Sequence, residues 1–278
     1  MRLAGRWAFW NQYAPQTSIE KCIQRTKDAR LEGVIVKYGY PQIERSLTAV
    51  GIPWATERYV YPSQPRAEAT MLANAVDAGA VAAVINAEVE WEGMGYQGAA
   101  TAGLAMLELV TAFRARHPTV ELYASVDTRG NRLSLPYQQV LRRNIAGWLP
   151  MVYPKAFRPT CPAGFVGAAF RDCLDNRDFG GVPMLPTIQT YDGIGAQAIA
   201  DQVGECKRRG LPGYQAYTIA HATDAEWAAF DQDVPMPPQP DPELYVRRVR
   251  MGIIEAEAQG RDQDAANALK LYLGVTAK

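Results

Sequence analysis

Short apolar runs alternate with longer amphipathic stretches along the first 233 residues of the chain. The short runs have the β-branched and aromatic composition of strands, whereas the stretches between them carry apolar residues at helical spacing. Residues 18–31 illustrate the helical pattern, because Ile19, Cys22 and Ile23 share one face behind Ser18, a residue suited to an N-cap. The predicted strands are residues 5–10, 33–38, 54–61, 80–89, 121–127, 147–153, 182–191 and 213–219.

The number and spacing of these elements predict the fold class. Eight strand–helix units in 233 residues give about 29 residues per unit, close to the spacing of a (β/α)8 barrel of about 250 residues. An open, doubly wound sheet is the alternative, but no glycine-rich phosphate-binding motif follows any predicted strand. We therefore predict an α/β fold, a (β/α)8 TIM barrel over residues 1–233. The predicted helices are residues 18–31, 42–50, 66–78, 99–116, 137–145, 164–174, 196–209 and 224–230.

A proline-rich stretch separates this barrel from the end of the chain. Residues 234–242 (VPMPPQPDP) contain too many prolines for a helix or a central strand and are predicted to be a linker. Residues 243–258 and 262–273 then have helical patterns, with Val246, Val249, Ile253 and Ile254 on one apolar face. We predict a helical hairpin over residues 243–278 that either packs on the barrel or serves oligomerisation and assembly.

Composition and charge exclude several classes of partner. The 29 basic and 29 acidic side chains cancel, so nucleic acid is not expected as a partner. No apolar run is long enough to cross a membrane, and the N-terminus lacks the layout of a signal peptide. We expect a cytoplasmic protein or one associated with a virion and released by another route. The four scattered cysteines lack a CxxC pair and are expected to be buried thiols.

Acidic residues at the end of the fourth predicted strand are the strongest candidates for chemistry. Active sites of TIM barrels lie at the C-terminal ends of the strands, and side chains two residues apart share a face. Asn86, Glu88 and Glu90 therefore point into the barrel mouth, where Glu57 from the third strand joins them. Neighbouring carboxyl groups raise the pKa of at least one of them. A protonated carboxylic acid beside an ionised one is the arrangement used in glycoside hydrolysis.

Other strand ends supply polar and aromatic side chains that suit a sugar. Aromatic faces pack on the apolar faces of a pyranose, and amides and carboxylates hydrogen-bond its hydroxyl groups. We predict no cofactor, and two histidines are too few for a histidine-rich zinc site, although a carboxylate-only magnesium or calcium site stays open. The predicted substrate-binding residues are Asn86, Asp127, Tyr153, Gln189, Tyr191, Gln215, Tyr217, Lys37 and Trp10.

Three short segments resemble barrel glycosidases. The Glu88-Val-Glu90 segment resembles the Asp-X-Glu signature on strand four of the family 25 lysozymes and family 18 chitinases. The Met151-Val-Tyr153 segment is similar to the Met-X-Tyr segment on strand six of the chitinases. Residues 10–12 (Trp-Asn-Gln) are distantly similar to strand one of the family 25 lysozymes.

The resemblance implies roles for the acidic residues. Glu90 stands where these families have the acid that protonates the leaving oxygen. Glu88 stands where they have an aspartate that orients the acetamido group of the substrate or stabilises charge, and it is one methylene longer. Pro154 replaces the aspartate that follows the chitinase Met-X-Tyr segment, and strand one lacks the aspartate of the lysozymes. A two-carboxylate mechanism with Glu57 as the second partner therefore stays open beside a substrate-assisted one.

Three functions follow from these residues. The first is a glycoside hydrolase that acts on a polysaccharide, such as cell-wall peptidoglycan. The second is a catalytically silent barrel that binds glycans or belongs to a larger assembly, for example of a phage. The third is carbon–carbon lyase chemistry through a Schiff base on Lys37 or Lys155, because barrels host aldolases and burial can lower the pKa of a lysine.

Overall fold

The computed structural model describes residues 2–11, 17–88, 91, 95–129, 132–157, 165–175 and 177–231. Eight parallel strands close into a barrel in chain order, each paired with the next and the eighth paired with the first. The predicted TIM barrel is confirmed. The predicted linker 234–242 and hairpin 243–278 lie outside the described residues, and their structure stays a prediction.

Six strands begin within one residue of the predicted position, β4 and β7 begin three and five residues later than predicted, and several strands end earlier. β7 is the shortest and begins directly after Pro186, because a proline cannot donate a hydrogen bond to the ladder. β4 leaves the sheet at Asn86, three residues before the predicted end. The strands are β1 Gly5–Trp10, β2 Gly33–Lys37, β3 Trp54–Tyr59, β4 Ala83–Asn86, β5 Leu122–Val126, β6 Gly147–Val152, β7 Thr187–Gln189 and β8 Gly213–Tyr217.

The helices follow the predicted order, and their first turns explain where they begin. The Ser18 hydroxyl accepts a hydrogen bond from the Lys21 amide at 3.2 Å, which confirms the predicted N-cap. Three helices begin one residue earlier than predicted, at a proline that suits the first helical position. The helices are α1 Ile19–Asp28, α2 Pro41–Ala49, α3 Pro65–Asp77, α4 Gly95–Arg116, α5 Pro136–Arg142, α6 Pro154–Phe157, α7 Phe165–Phe170, α8 Ala196–Arg208 and α9 Asp224–Asp231.

Alternating side chains divide the core into two layers. On β1, Trp7 and Phe9 point into the barrel, whereas Ala8 and Trp10 pack between the strands and the surrounding helices. The prediction that Trp10 binds substrate is therefore corrected. Its ring is 3% exposed and faces the helical layer, because it has the opposite phase to the inward-facing residues of β1.

Two further expectations concern the helices and the cysteines. Every helix in the described part of the chain is too short or too polar to span a bilayer. Cys22, Cys173 and Cys206 are buried free thiols, and burial raises their pKa values. Cys161 lies outside the described residues.

Candidate functional site

A cavity of about 330 Å³ opens at the C-terminal end of the barrel, where a TIM barrel carries its active site. Residues from β1 and from β3 to β8, or from the loops that follow these strands, form its walls. The described lining residues are Phe9, Glu57, Asn86, Glu88, Ser125, Asp127, Arg129, Arg132, Met151, Tyr153, Tyr191 and Tyr217.

Glu57 lies in the wall of this cavity and is almost completely buried, with 6% of the residue exposed. Its side chain shares the inward face of β3 with Ala55, and its backbone pairs in register with Lys37 of β2. Burial is the largest influence on its carboxyl group and raises its pKa. A hydrogen bond from Asn86 and the charge of Lys37 lower the pKa, but burial dominates. Glu57 therefore holds its proton to a higher pH than an exposed glutamate.

Glu88 lies two residues beyond the end of β4 and is half-buried in the same cavity. Its negative charge raises the pKa of Glu57. It also raises the pKa values of Tyr153 and Tyr217, for which burial is the largest cause. These effects place two carboxyl groups within electrostatic reach in one cavity, as the alternation along the strands predicts. Glu90, the third predicted catalytic residue, lies outside the described residues.

Asn86, the last residue of β4, lines the cavity and contacts one of its acidic residues. Its side-chain amide hydrogen-bonds the carboxyl group of Glu57. Its Oδ1 atom is buried and has no hydrogen-bond partner among the described residues. This oxygen is a suitable acceptor for a hydroxyl or amide group of a bound sugar.

Three tyrosines form an aromatic wall opposite the acidic residues. The ring centroid of Tyr153 lies 5.8 Å from that of Tyr191 and 5.6 Å from that of Tyr217, and the last two are 5.7 Å apart. Asn11 Nδ2 donates a hydrogen bond of 3.0 Å to the Tyr217 hydroxyl group. Phe9 extends the wall, with its centroid 5.4 Å from that of Tyr217. The structure thus brings together all three tyrosines that the sequence predicts.

Asp127 lines the cavity, but arginines occupy its carboxylate. Arg129 Nε lies 3.0 Å from both carboxylate oxygens, and Arg129 Nη2 lies 2.6 Å from Oδ2. Arg132 Nη1 donates to the same Oδ2. Burial is the largest single influence on the carboxyl group and raises its pKa, but the hydrogen bonds and charges of the arginines together outweigh burial and lower the pKa of Asp127 below its ordinary value. Asp127 thus holds two arginines in the cavity wall, and its predicted contact with sugar hydroxyl groups stays a prediction.

Sequence reasoning missed both of these arginines. Arg129 and Arg132 follow a correctly predicted strand end, and both line the cavity. Two arginines within five residues of Asp127 are the signal that could have indicated them. The side chains depend on loop conformation, which strand periodicity does not describe.

Gln189 and Gln215 face the barrel interior without lining the cavity, which corrects their assignment to substrate binding. Gln189 Oε1 accepts hydrogen bonds from the backbone amides of Lys155 and Ala156, at 3.0 and 3.2 Å, and so holds the start of α6. Gln215 pairs in register with Trp7, one layer below Tyr217, and is fully buried.

The two candidate lysines lie beside the cavity rather than in its described wall. Lys155 is exposed, and its ammonium group donates to the backbone carbonyls of Asp192 and Gly193. Lys37 is half-buried, and its positive charge lowers the pKa of Glu57. Neither placement favours a Schiff-base lysine, which must reach the substrate in its neutral form.

Sequence comparisons find no relatives: no protein-family model matches the chain, and no curated protein matches it. Solved structures do match. A chitinase from Chromobacterium violaceum ATCC 12472 superimposes with a TM-score of 0.63 at 15% identity, over 84% of this chain and 100% of that chain. A GH18 chitinase from Cycas revoluta, solved with (GlcNAc)3, has a TM-score of 0.54 at 10% identity, over 82% of this chain and 97% of that chain.

A third similar structure is the spore cortex-lytic enzyme SleL from Bacillus megaterium QM B1551. Its TM-score is 0.55 at 9% identity, over 82% of this chain and 73% of that chain. At such identities the likeness concerns the fold, and function must be argued from the site. The barrel thus has the fold of these chitinases, as the resemblance of its strand-four and strand-six motifs to family 18 implies. The resemblance to family 25 lysozymes stays a prediction.

Proposed function

We propose that this protein is a glycoside hydrolase that cleaves a polysaccharide at the C-terminal mouth of its barrel by carboxylate acid/base catalysis. One observation carries the proposal: Glu57 and Glu88 share a cavity in which burial and the charge of Glu88 raise the pKa of Glu57. Glycosidases need one carboxyl group that keeps its proton and a second that is ionised. The raised pKa of Glu57 meets the first requirement, and we propose Glu88 for the second role.

The proton donor is one of two glutamates. The raised pKa of Glu57 suits an acid that protonates the leaving oxygen, with half-buried Glu88 as the ionised partner. The resemblance to strand four of barrel glycosidases assigns this role to Glu90 instead, with Glu57 as the second carboxylate. The two assignments predict different pH profiles for the same set of variants.

The walls of the cavity support a glycan as the substrate. Tyr153, Tyr191 and Tyr217 offer aromatic faces, and the unpartnered Oδ1 of Asn86 offers an acceptor. The similar structures named above include chitinases and a cortex-lytic enzyme. We therefore propose chitin-like glycans and peptidoglycan as the first substrates to test.

The test measures reducing ends released from chitin oligosaccharides and peptidoglycan by wild type and by Glu57→Gln, Glu88→Gln and Glu90→Gln. Loss of the proton donor is expected to lower the rate by a factor of about 100 or more. Removing the donor also removes the alkaline limb of the pH profile, so the variant that loses this limb identifies it. Glu44→Gln is the matched control, because burial raises the pKa of Glu44 on α2, outside the cavity lining. Full activity in all three of these glutamate variants would refute the proposal.

The catalytically silent barrel is the second candidate. Asn86 favours this candidate, because the first polar position of the strand-four segment holds a carboxamide rather than an acid. The amide group of Asn86 is also engaged in a hydrogen bond with Glu57. Saturable binding of an oligosaccharide to wild type, without product after prolonged incubation, would support this candidate and exclude hydrolysis.

A further inference from the structure

Two polar side chains of neighbouring strands lie inside the barrel, apart from the acidic residues of the cavity. Thr187 of β7 pairs in register with Gln215 of β8, and both residues are fully buried. The residues that follow them, Ile188 and Ala216, pack towards the helices. Because successive side chains of a strand point to opposite faces, Thr187 and Gln215 both point into the barrel.

The polar atoms of these two side chains are the evidence for a binding site. Gln215 Oε1, Gln215 Nε2 and Thr187 Oγ1 are all buried, and none of them has a hydrogen-bond partner among the described residues. An unpaired buried amide or hydroxyl group costs free energy, and the large majority of buried polar atoms in folded proteins therefore bond to protein or to ordered water. Three such atoms side by side on neighbouring strands indicate a site for a small polar molecule.

The side chains around this pair are bonded elsewhere or are poor partners. On the β1 side, Trp7 pairs in register with Gln215 and donates its indole N–H to a backbone carbonyl at 3.1 Å. On the β6 side, Met151 pairs in register with Thr187 and offers only a thioether, which is a weak acceptor. The next inward side chain of β7, Gln189, accepts two backbone amides at the start of α6 through its Oε1 atom. A molecule from outside the chain is therefore the partner that fits.

A water molecule matches this site in size and in chemistry. Neighbouring strands lie about 4.8 Å apart, so one molecule can contact side chains on both of them. A buried water needs about two to four polar partners, and the Gln215 carboxamide and the Thr187 hydroxyl group supply an acceptor, a donor and a group that can do either. A sugar is excluded at this depth, because both side chains are fully buried and lie outside the described lining of the cavity.

We propose that Gln215 and Thr187 bind an internal water molecule between β7 and β8, beneath the cavity. Met151 pairs in register with Thr187, and Tyr217 is the next inward residue after Gln215; both of these neighbours line the cavity. The water thus satisfies the polar groups of the layer on which the cavity rests. This inference goes beyond the proposed function and does not depend on glycan cleavage.

A crystal structure of the full chain, at a resolution that shows ordered solvent, tests the proposal directly. We expect one ordered water within hydrogen-bonding distance of both the Gln215 carboxamide and the Thr187 hydroxyl group. A direct hydrogen bond between the two side chains would overturn the proposal, because the groups would then satisfy each other. An absence of solvent density between them would overturn it as well.

Thermal unfolding supplies a second readout, because a hydrated site and a dry one predict opposite effects. Thr187→Val keeps the shape of the side chain and removes its hydroxyl group. In a hydrated site this change takes a partner from the water, and Tm should fall by about 2–4 °C. In a dry site it removes an unpaired polar group, and Tm should stay the same or rise. Gln215→Met should also lower Tm, and the double variant should lose less than the sum of the two single losses, because both residues serve one water.

Thr56→Val is the matched control for these variants. Thr56 is fully buried on β3, and its hydroxyl group has no partner among the described residues, but its in-register neighbours are the apolar Val36 and Ala83. A water there would have too few polar partners, so Thr56→Val should leave Tm unchanged or raise it. Equal changes in Tm for Thr56→Val and Thr187→Val would overturn the proposal. If Gln215→Met does not fold, the crystal structure and the comparison of the two threonine variants decide.

Discussion

Asn86 at the end of β4 hydrogen-bonds the carboxyl group of Glu57 on β3, the neighbouring strand of the barrel. This hydrogen bond favours the ionised form of Glu57, whereas burial of the carboxyl group favours the protonated form. Burial prevails, and the pKa of Glu57 is raised. The contact between the two residues therefore limits how far burial raises the pKa of Glu57.

Removing this hydrogen bond should raise the pKa of Glu57 further. Asn86→Leu keeps the approximate size of the side chain but loses the donor, so protonated Glu57 gains relative stability. A carboxyl-carbon NMR titration of wild type and variant measures the shift directly. Asn74→Leu is the control, because Asn74 lies on α3 and bonds Arg116 instead. A lower or unchanged pKa of Glu57 in Asn86→Leu would contradict the described contact.

Glu57 should make the stability of the protein depend on pH. Its pKa in the folded state is raised above the ordinary 4.5, so the folded state binds the proton more tightly than the unfolded state. Stability contributed by the protonated form is complete below the unfolded pKa and is lost as the pH rises through the folded pKa. Wild type should therefore lose stability between about pH 4 and about pH 8, whereas Glu57→Gln should not lose this contribution. Urea denaturation should show a larger stability of Glu57→Gln relative to wild type at about pH 8 than at about pH 4. An equal difference at both pH values would rule out the buried, proton-holding carboxyl group.

Asp127 should show the opposite dependence. Its pKa is lowered, so the stability it contributes is present above the unfolded pKa and is lost as the pH falls through the folded pKa. Asp127→Asn should cost about 1–3 kcal/mol of unfolding free energy at neutral pH, because it weakens hydrogen bonds to two arginines. Asp224→Asn is the comparison, since Asp224 also meets two cations but has a side chain that is 77% exposed. That variant should lose less stability than Asp127→Asn does, because solvent screens its ion pairs. Similar losses would mean that the Asp127 cluster adds nothing beyond a surface pair.

The aromatic wall should contribute to substrate binding through its rings. Tyr191 and Tyr217 are both half-buried, but Tyr217 also accepts a hydrogen bond from Asn11, so substitution of Tyr191 disturbs fewer described contacts. Tyr191→Ala should raise the dissociation constant for an oligosaccharide by up to about tenfold, whereas Tyr191→Phe, which keeps the ring, should change it little. Fluorescence or calorimetric titration measures both. If Tyr191→Phe binds as weakly as Tyr191→Ala, the hydroxyl group rather than the ring face makes the contact.

Periodicity along the chain determined most of the fold and the cavity-lining residues that lie on the strands or directly after them. The repeated strand–helix pattern indicated a closed barrel because each strand is followed by one helix of suitable length. Alternation placed Asn86 and Glu88 at the barrel mouth beside Glu57, and the predicted strand ends supplied Tyr153 and Tyr217; all five residues line the cavity. These residues could be predicted because a strand with a period of two assigns each side chain to one of only two faces.

Tertiary structure decided which inward residues reach the cavity, since a face does not specify depth along the barrel axis. Gln215 shares a face with Tyr217 but lies one layer deeper, and Gln189 is held by the backbone at the start of α6. The tilt and stagger of the strands set these heights, and they depend on all eight strands together. The contacts of Arg129 and Arg132 with Asp127 likewise depend on the tertiary structure, because ion pairs between residues outside the strands leave no periodic pattern in the chain.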